Sequence, residues 1–184
     1  MDSIYDTEPI RAIGDTTIYS DIGAIMLGEI VEKVSGLPLE VFMDSMVFEP
    51  LGMSTTFFKP PKEKLHRIIP TEIDPKGNLI HGYVHDEGAA MLGGVSGHAG
   101  LFSNAYEVAI VLQTMIQKGT YNNQRLFSEN SFDTFNYCYY CDKDNRSGVG
   151  FDKPQIEGKH GSTFGGVSKN SFGHYGYTGS IAWA

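Results

Sequence analysis

The chain lacks any apolar run near the roughly 18 residues that a bilayer-crossing helix needs, so no helical membrane span is written in it. Its opening, Met1-Asp2-Ser3-Ile4-Tyr5-Asp6, has no basic start and no apolar core, and no secretion signal is visible there. Positive charge is scarce: 14 Lys and Arg stand against 22 Asp and Glu, a formal net charge of -8. Nucleic acids and anionic membranes reward a basic patch, so neither suits this chain as a partner. An acidic, solvated surface is enough to explain the balance. Cysteine is limited to Cys138 and Cys141, in a single C-x-x-C. Two thiols cannot complete a four-cysteine zinc site, and a redox pair of this type normally adjoins a βα unit. The pair is expected to be two incidental thiols or a local disulfide. Internal repeats and low-complexity segments are absent as well.

What is present suits one domain or most of one: 184 residues, 41% hydrophobic and 20% charged. Residues 20–35 read as a helix, capped by Ser20 or Asp21 and stopped by Gly36, with Ile22, Ile25, Met26, Ile30 and Val34 as its apolar face. A second helix is expected from Pro38, with Leu39, Phe42, Met43, Met46 and Val47 facing inward, until Glu49-Pro50-Leu51-Gly52-Met53 breaks the pattern. Residues 54–102 show little sustained period, and a loop region that long is uncommon unless it is functional or packed on a scaffold. The glycines of 93–100 imply tight turns or close backbone approach. A third helix is expected from Ser103 or Asn104, with an Asn104/Glu107 capping box, the face Val108, Val111, Leu112, Met115 and Ile116, and a stop at Gly119. A short helix follows Ser128. Ser171–Tyr175 and Ser180–Trp183 read as two strands around a turn at Thr178-Gly179.

Two short motifs carry candidate chemistry. In Tyr19-Ser20-Asp21 a phenol precedes a helix start. A phenol is a weak base unless a nearby cation favours its ionised form, in which case it can accept and return a proton. In His174-Tyr175-Gly176 a cationic residue projects from a late strand, and the glycine lets substrate backbone approach the edge. Tyr177, next along, can offer its backbone N–H as half of an oxyanion hole. Taken singly, each motif is also what an ordinary half-buried tyrosine or an exposed strand histidine looks like. Their joint order and contexts say more.

The chain resembles the serine β-lactamase-like hydrolases, which include class C β-lactamases, D-alanyl-D-alanine carboxypeptidases (penicillin-binding proteins) and esterases. The resemblance runs from Tyr19-Ser20-Asp21-Ile22-Gly23 through Val34-Ser35-Gly36, Phe48-Glu49-Pro50-Leu51-Gly52-Met53 and Gly97-His98-Ala99-Gly100-Leu101-Phe102-Ser103 to Gly148-Val149-Gly150-Phe151 and Phe172-Gly173-His174-Tyr175-Gly176-Tyr177-Thr178-Gly179. His81-Gly82-Tyr83-Val84-His85-Asp86 and Gly150-Phe151-Asp152-Lys153-Pro154 look closest to a narrower group, the serine hydrolase domains fused behind glycoside hydrolase family 3 β-N-acetylglucosaminidases in Bacteroidetes. That setting implies the periplasm or cell envelope.

The resemblance implies an α+β fold, a partial β-lactamase/transpeptidase-like domain in which 1–145 supply mainly helices and loops and 146–184 supply strands of an antiparallel sheet. It implies acyl-enzyme hydrolysis of an ester or amide, with no cofactor and no metal. Tyr19 would be the base or proton shuttle, and Asp21 would take the substrate-contacting asparagine position. His174 would stand where many members carry lysine, and Gly176 where they carry glycine. Asp21 disfavours ionisation of a neighbouring phenol, and His174 is cationic only when protonated, so the two departures compensate if the carboxylate holds the proton on the imidazole. The family's serine followed three residues on by lysine is missing, since no serine here has lysine at that spacing. The chain therefore reads as the later part of a hydrolase, inactive by itself. Open sheet edges between Phe172 and Trp183 imply self-association.

Three other readings compete. His81, His85 and Asp86, with His98, could ligate a metal in a metal-dependent hydrolase, although Gly82 interrupts any helical face. Ser96 in Gly94-Val95-Ser96-Gly97-His98 approaches a nucleophile elbow, with His98 where the second glycine belongs. Ten tyrosines and eleven phenylalanines could serve a non-catalytic peptidoglycan- or glycan-binding module, but they are scattered rather than clustered.

Overall fold

A computed structural model describes residues 1–143, 145–155, 163 and 166–184. The helices are α1 (Asp2–Tyr5), α2 (Asp21–Ser35), α3 (Leu39–Met43), α4 (Glu49–Leu51), α5 (Glu87–Met91), α6 (Ala105–Ile116) and α7 (Glu129–Asn136). Among the described residues the strands are β1 (Glu72–Ile73), β2 (Leu79–Ile80), β3 (Thr120–Tyr121), β4 (Gln124–Arg125), β5 (Gly173–Tyr175) and β6 (Ile181–Trp183), paired as three antiparallel hairpins. The fold is α+β. The chain forms two compact units, one of Ser20–Val111 and one of Met1–Tyr19 with Leu112–Ala184.

In the Ser20–Val111 unit, α2 begins where expected. Ser20 is its N-cap and accepts from the Gly23 N–H at 3.2 Å, and Gly36 ends it in a left-handed conformation with φ 72. Its buried side differs from the apolar stripe: Ile25 and Gly28 are buried, whereas Ile22, Ile30 and Val34 stay exposed. The cause is a backbone-to-backbone approach. A Cβ on Gly28 would sit 3.1 Å from the Gly97 nitrogen, and one on Gly97 would sit 2.1 Å from the Ala24 carbonyl oxygen. The glycine-dense turn expected at 93–100 thus packs on α2 directly, and it draws in the helix side that bears glycine.

The second helical stretch continues past the expected break. Pro38 is its N-cap, α3 widens into a π-helical turn over Asp44–Phe48, and α4 carries on to Gly52. The wide turn accommodates Pro50, which has no N–H to give and whose ring crowds the preceding turn. Leu39, Phe48, Leu51 and Met53 are buried there. The 54–102 region is scaffolded rather than shapeless, with a 3-10 helix at Lys62–Arg67, the β1–β2 hairpin and α5. Phe57 and Phe102 also exchange backbone hydrogen bonds, at 3.0 and 2.9 Å.

At the start of α6 only half of the capping box forms. The Glu107 N–H donates to Asn104 Oδ1 at 3.1 Å, but the Glu107 carboxylate turns inward and accepts from the Thr55 N–H and from the hydroxyls of Thr55 and Thr56. The buried stripe of α6 is Glu107, Ile110 and Thr114, two of them polar, with the predicted apolar residues flanking it.

In the other unit, Ser128 caps α7 by accepting from the Ser131 N–H at 3.0 Å. Phe172 is buried, edge-on to Phe132 and Phe151 at centroid distances of 5.4 and 5.5 Å. β5 pairs with β6 in the register Gly173↔Trp183, His174↔Ala182, Tyr175↔Ile181, and Asp152 bridges Gly173 on the other edge of β5. The turn closes by the Gly176 N–H donating to the Ser180 carbonyl at 2.8 Å, with Gly179 at φ 90. Cys138 and Cys141 form a disulfide, the second of the two expectations for that pair.

Candidate active site

Alternation along β5 decides which face His174 occupies. A Cβ on Gly173 would fall 2.5 Å from the Trp183 indole, so Trp183 lies across that glycine, and the Tyr175 ring is 6.3 Å from Trp183 on the same face. His174 points to the opposite face. There its ring stacks on Tyr19, with centroids 5.7 Å apart and planes inclined by 23°. The two residues singled out from opposite ends of the sequence therefore meet within one compact unit.

His174 Nδ1 lies 2.7 Å from the Tyr175 carbonyl oxygen. A carbonyl only accepts, so in this hydrogen bond Nδ1 is the donor. Tyr19 is 77% exposed, which leaves its hydroxyl in water beside a ring able to carry charge. Gly176 comes directly after β5; a Cβ there would approach the Ser180 Cβ to 3.2 Å, so glycine allows the two arms of the turn to close. Tyr177 sits in that turn and is 93% exposed. Asp21 is the first residue of α2 and belongs to the Ser20–Val111 unit.

Sequence reasoning missed Lys153. It is buried, its ammonium lies 5.6 Å from the centre of the Phe172 ring, and it donates to Asn136 Oδ1. Burial, and secondarily the Arg146 charge, hold its pKa below the usual lysine value. Lysine in a glycine- and aromatic-rich stretch gave no signal of burial.

The three histidines of the metal reading are engaged separately. His81 Nε2 contacts the Ile68 carbonyl at 2.9 Å, His85 pairs with Glu72 at 3.1 Å, and His98 Nε2 pairs with Asp86 Oδ1 at 2.7 Å. Among the described residues no three metal-ligating side chains converge. The second nitrogen of His98 contacts Ser96 Oγ at 2.8 Å. Asp86 is also the N-cap of α5, so this Ser96–His98–Asp86 chain ties the glycine turn to a helix start. Asp86 is held below the usual carboxylate range, first by the Ala89 N–H and then, against the opposing effect of burial, by His98. Cavities of about 190 and 630 Å³ lie within the Ser20–Val111 unit, and neither is lined by Tyr19 or His174.

Known proteins share this arrangement of elements. The family model for Beta-lactamase matches residues 1–184. A Bacillus subtilis (strain 168) protein named N-acetylmuramyl-L-alanine amidase is 35% identical over 183 residues, covering 91% of this chain and 41% of that protein. An Escherichia coli (strain K12) protein named "Putative D-alanyl-D-alanine carboxypeptidase" is 36% identical over 186 residues, covering 91% of this chain and 42% of that protein. The chain thus spans about two fifths of the length of these relatives. A penicillin-binding protein homologue from Caulobacter crescentus superposes with a TM-score of 0.66 at 19% identity, covering 97% of this chain and 52% of that one. With the family model running from the first residue to the last, and relatives above 30% identity along nearly the same span, this chain belongs to the beta-lactamase family.

Proposed function

We propose that the chain is the later part of a serine hydrolase that cleaves an ester or amide through an acyl-enzyme. The observation that carries this reading is the stacked pair Tyr19–His174. In the proposed mechanism a serine from outside these residues attacks the carbonyl, and Tyr19 takes its proton and returns it to the leaving group. Water then attacks the acyl ester. His174, stacked on the Tyr19 ring, orients an anionic substrate group. Gly176 admits the substrate backbone, and the Tyr177 N–H donates to the developing oxyanion. The names of the two relatives, an amidase and a carboxypeptidase, support an amide as one substrate class. No serine in the chain precedes lysine at the family's spacing, and we expect the 184 residues alone to be inactive.

A fluorophosphonate probe tests this directly. The full-length protein should label at a serine outside residues 1–184, and the isolated chain should not label. Labelling at Ser96 would move the nucleophile to the glycine turn. Absence of any label, with retained glycan binding, would favour the non-catalytic module.

The sheet bears a second expectation. Among the described residues β6 pairs only with β5, and Ile181 on it is exposed. An unpaired edge templates further pairing, so the isolated chain should self-associate through Ile181–Trp183. Light scattering should show mass rising with concentration; a constant monomer mass would remove the idea.

A further inference from the structure

Tyr19 ends a long irregular segment. Residues 6–19 contain no helix or strand, and the backbone hydrogen bonds there are the local turns Thr7 to Ile4 and Asp15 to Ala12. Side chains of one short loop hold this segment in place. The Tyr140 hydroxyl donates to the Gly14 carbonyl at 2.9 Å, Lys143 Nζ to the Asp15 carbonyl at 3.2 Å, and Asn145 Nδ2 to the Thr17 carbonyl at 3.2 Å. The last of these lies two residues before Tyr19.

The loop that supplies these donors is itself fastened. Cys138 and Cys141 are joined by a disulfide with Cα atoms 5.5 Å apart. The N–H groups of Lys143 and Asn145 both donate to the Tyr140 carbonyl, at 3.0 and 3.2 Å. Arg146 Nη1 lies 3.2 Å from Cys141 Sγ, and its Nε donates to the Pro154 carbonyl at 2.7 Å. The Lys143 ammonium also sits 5.3 Å from the centre of the Tyr140 ring, so two of the three donors brace each other. All of these residues belong to the same compact unit as Tyr19 and His174.

We propose that the segment pinned at its start by the Cys138–Cys141 disulfide is a clamp that delivers the Tyr19 ring to His174, with Tyr140 inside the closed loop and Lys143 and Asn145 just after it as positioning residues. Backbone carbonyls at 14, 15 and 17 are bonded from outside the segment, which fixes the path of the chain although it has no regular structure. An exposed ring at the end of an unanchored segment would sample many orientations. The clamp removes that freedom before substrate arrives. Reduction by a dithiol breaks the Sγ–Sγ bond, adds two electrons and two protons to give two thiols, and leaves the dithiol as its own disulfide. The loop then loses its closure, and the ring pair loses its fixed geometry. The functional meaning of the clamp rests on the reading of Tyr19 as the proton shuttle, but its existence does not.

The test is proton NMR of the His174 ring in this chain, with Tyr19→Leu defining the signals of an unstacked imidazole. Dithiothreitol should move the His174 ring signals most of the way to the Tyr19→Leu positions while amide dispersion is kept. In the oxidised protein Asn145→Ala and Lys143→Met should each move them in the same direction, and Lys143→Arg should restore them. If reduction collapses amide dispersion, the two oxidised variants decide. Unchanged His174 signals in those variants, with Tyr19→Leu shifted, would overturn the clamp. In the full-length enzyme Asn145→Ala should lower kcat by up to about 10²-fold with little change in KM, as misplacement of a reacting group does. The NMR outcome is independent of whether Tyr19 moves a proton, so failure of the clamp and failure of the proposed function remain distinguishable.

Discussion

Replacing Tyr19 by phenylalanine in the full-length protein is expected to lower kcat/KM by about 10²–10⁴-fold, the usual contribution of a positioned general acid–base. The substitution keeps the ring that stacks on His174 and removes only the hydroxyl. That hydroxyl belongs to a residue that is 77% exposed, so stability should stay within about 0.5 kcal/mol of the parent. The loss should fall mainly on kcat, because the proton transfer is made in the transition state and not in substrate binding. Steady-state kinetics with an ester substrate, paired with a melting curve, separates the two effects. Activity within twofold of the parent would remove Tyr19 from the mechanism.

The largest stability loss is expected at Glu107. The residue is 6% exposed, and its carboxylate accepts from the Thr55 N–H at 3.0 Å, from the Thr55 hydroxyl at 2.7 Å and from the Thr56 hydroxyl at 2.5 Å. Thr56 is buried as well, whereas Thr55 is half-buried, so Glu107→Ala strands above all the Thr56 hydroxyl. Stranded buried polar groups cost about 1–3 kcal/mol each, and about 2–4 kcal/mol is expected in total from chemical denaturation. Glu107→Gln keeps one acceptor oxygen and should lose less.

The same carboxylate gives a pH dependence of known sign. Burial alone would raise its pKa, but the hydrogen bonds from Thr56 and Thr55 outweigh that and hold it below the ordinary glutamate value. A depressed folded-state pKa means the stabilising contribution is complete above the unfolded value, about 4.3, and is lost as pH falls through the lower folded value. Asp86, depressed through the Ala89 N–H and His98, acts in the same direction. The parent should therefore melt at lower temperature as pH drops below about 4, and Glu107→Gln should show a shallower decline.

Local features were readable from the residues. Ser20 and Ser128 cap their helices, Gly36 stops α2, and Thr178-Gly179 turns β5 into β6, because each depends on atoms only a few residues apart. Pro50 misled, since a π-helical turn two residues earlier absorbs it. The two-residue hairpins β1–β2 and β3–β4 were too short to leave a periodic pattern. The inward sides of α2 and α6 were misjudged for a related reason: a glycine contact, and a carboxylate satisfied by two threonines, set them instead of a count of apolar residues.

The sequence by itself determined both ends of α2, the start of α7, the closing hairpin, the family and the residues worth watching, because those follow from local sterics and short motifs. Only the tertiary structure decided that the Tyr19 ring lies on His174, that Glu107 faces inward, and that Tyr140, Lys143 and Asn145 donate to the backbone before Tyr19. Those outcomes depend on groups far apart along the chain, and their proximity is fixed by packing and by hydrogen bonds that no local pattern encodes.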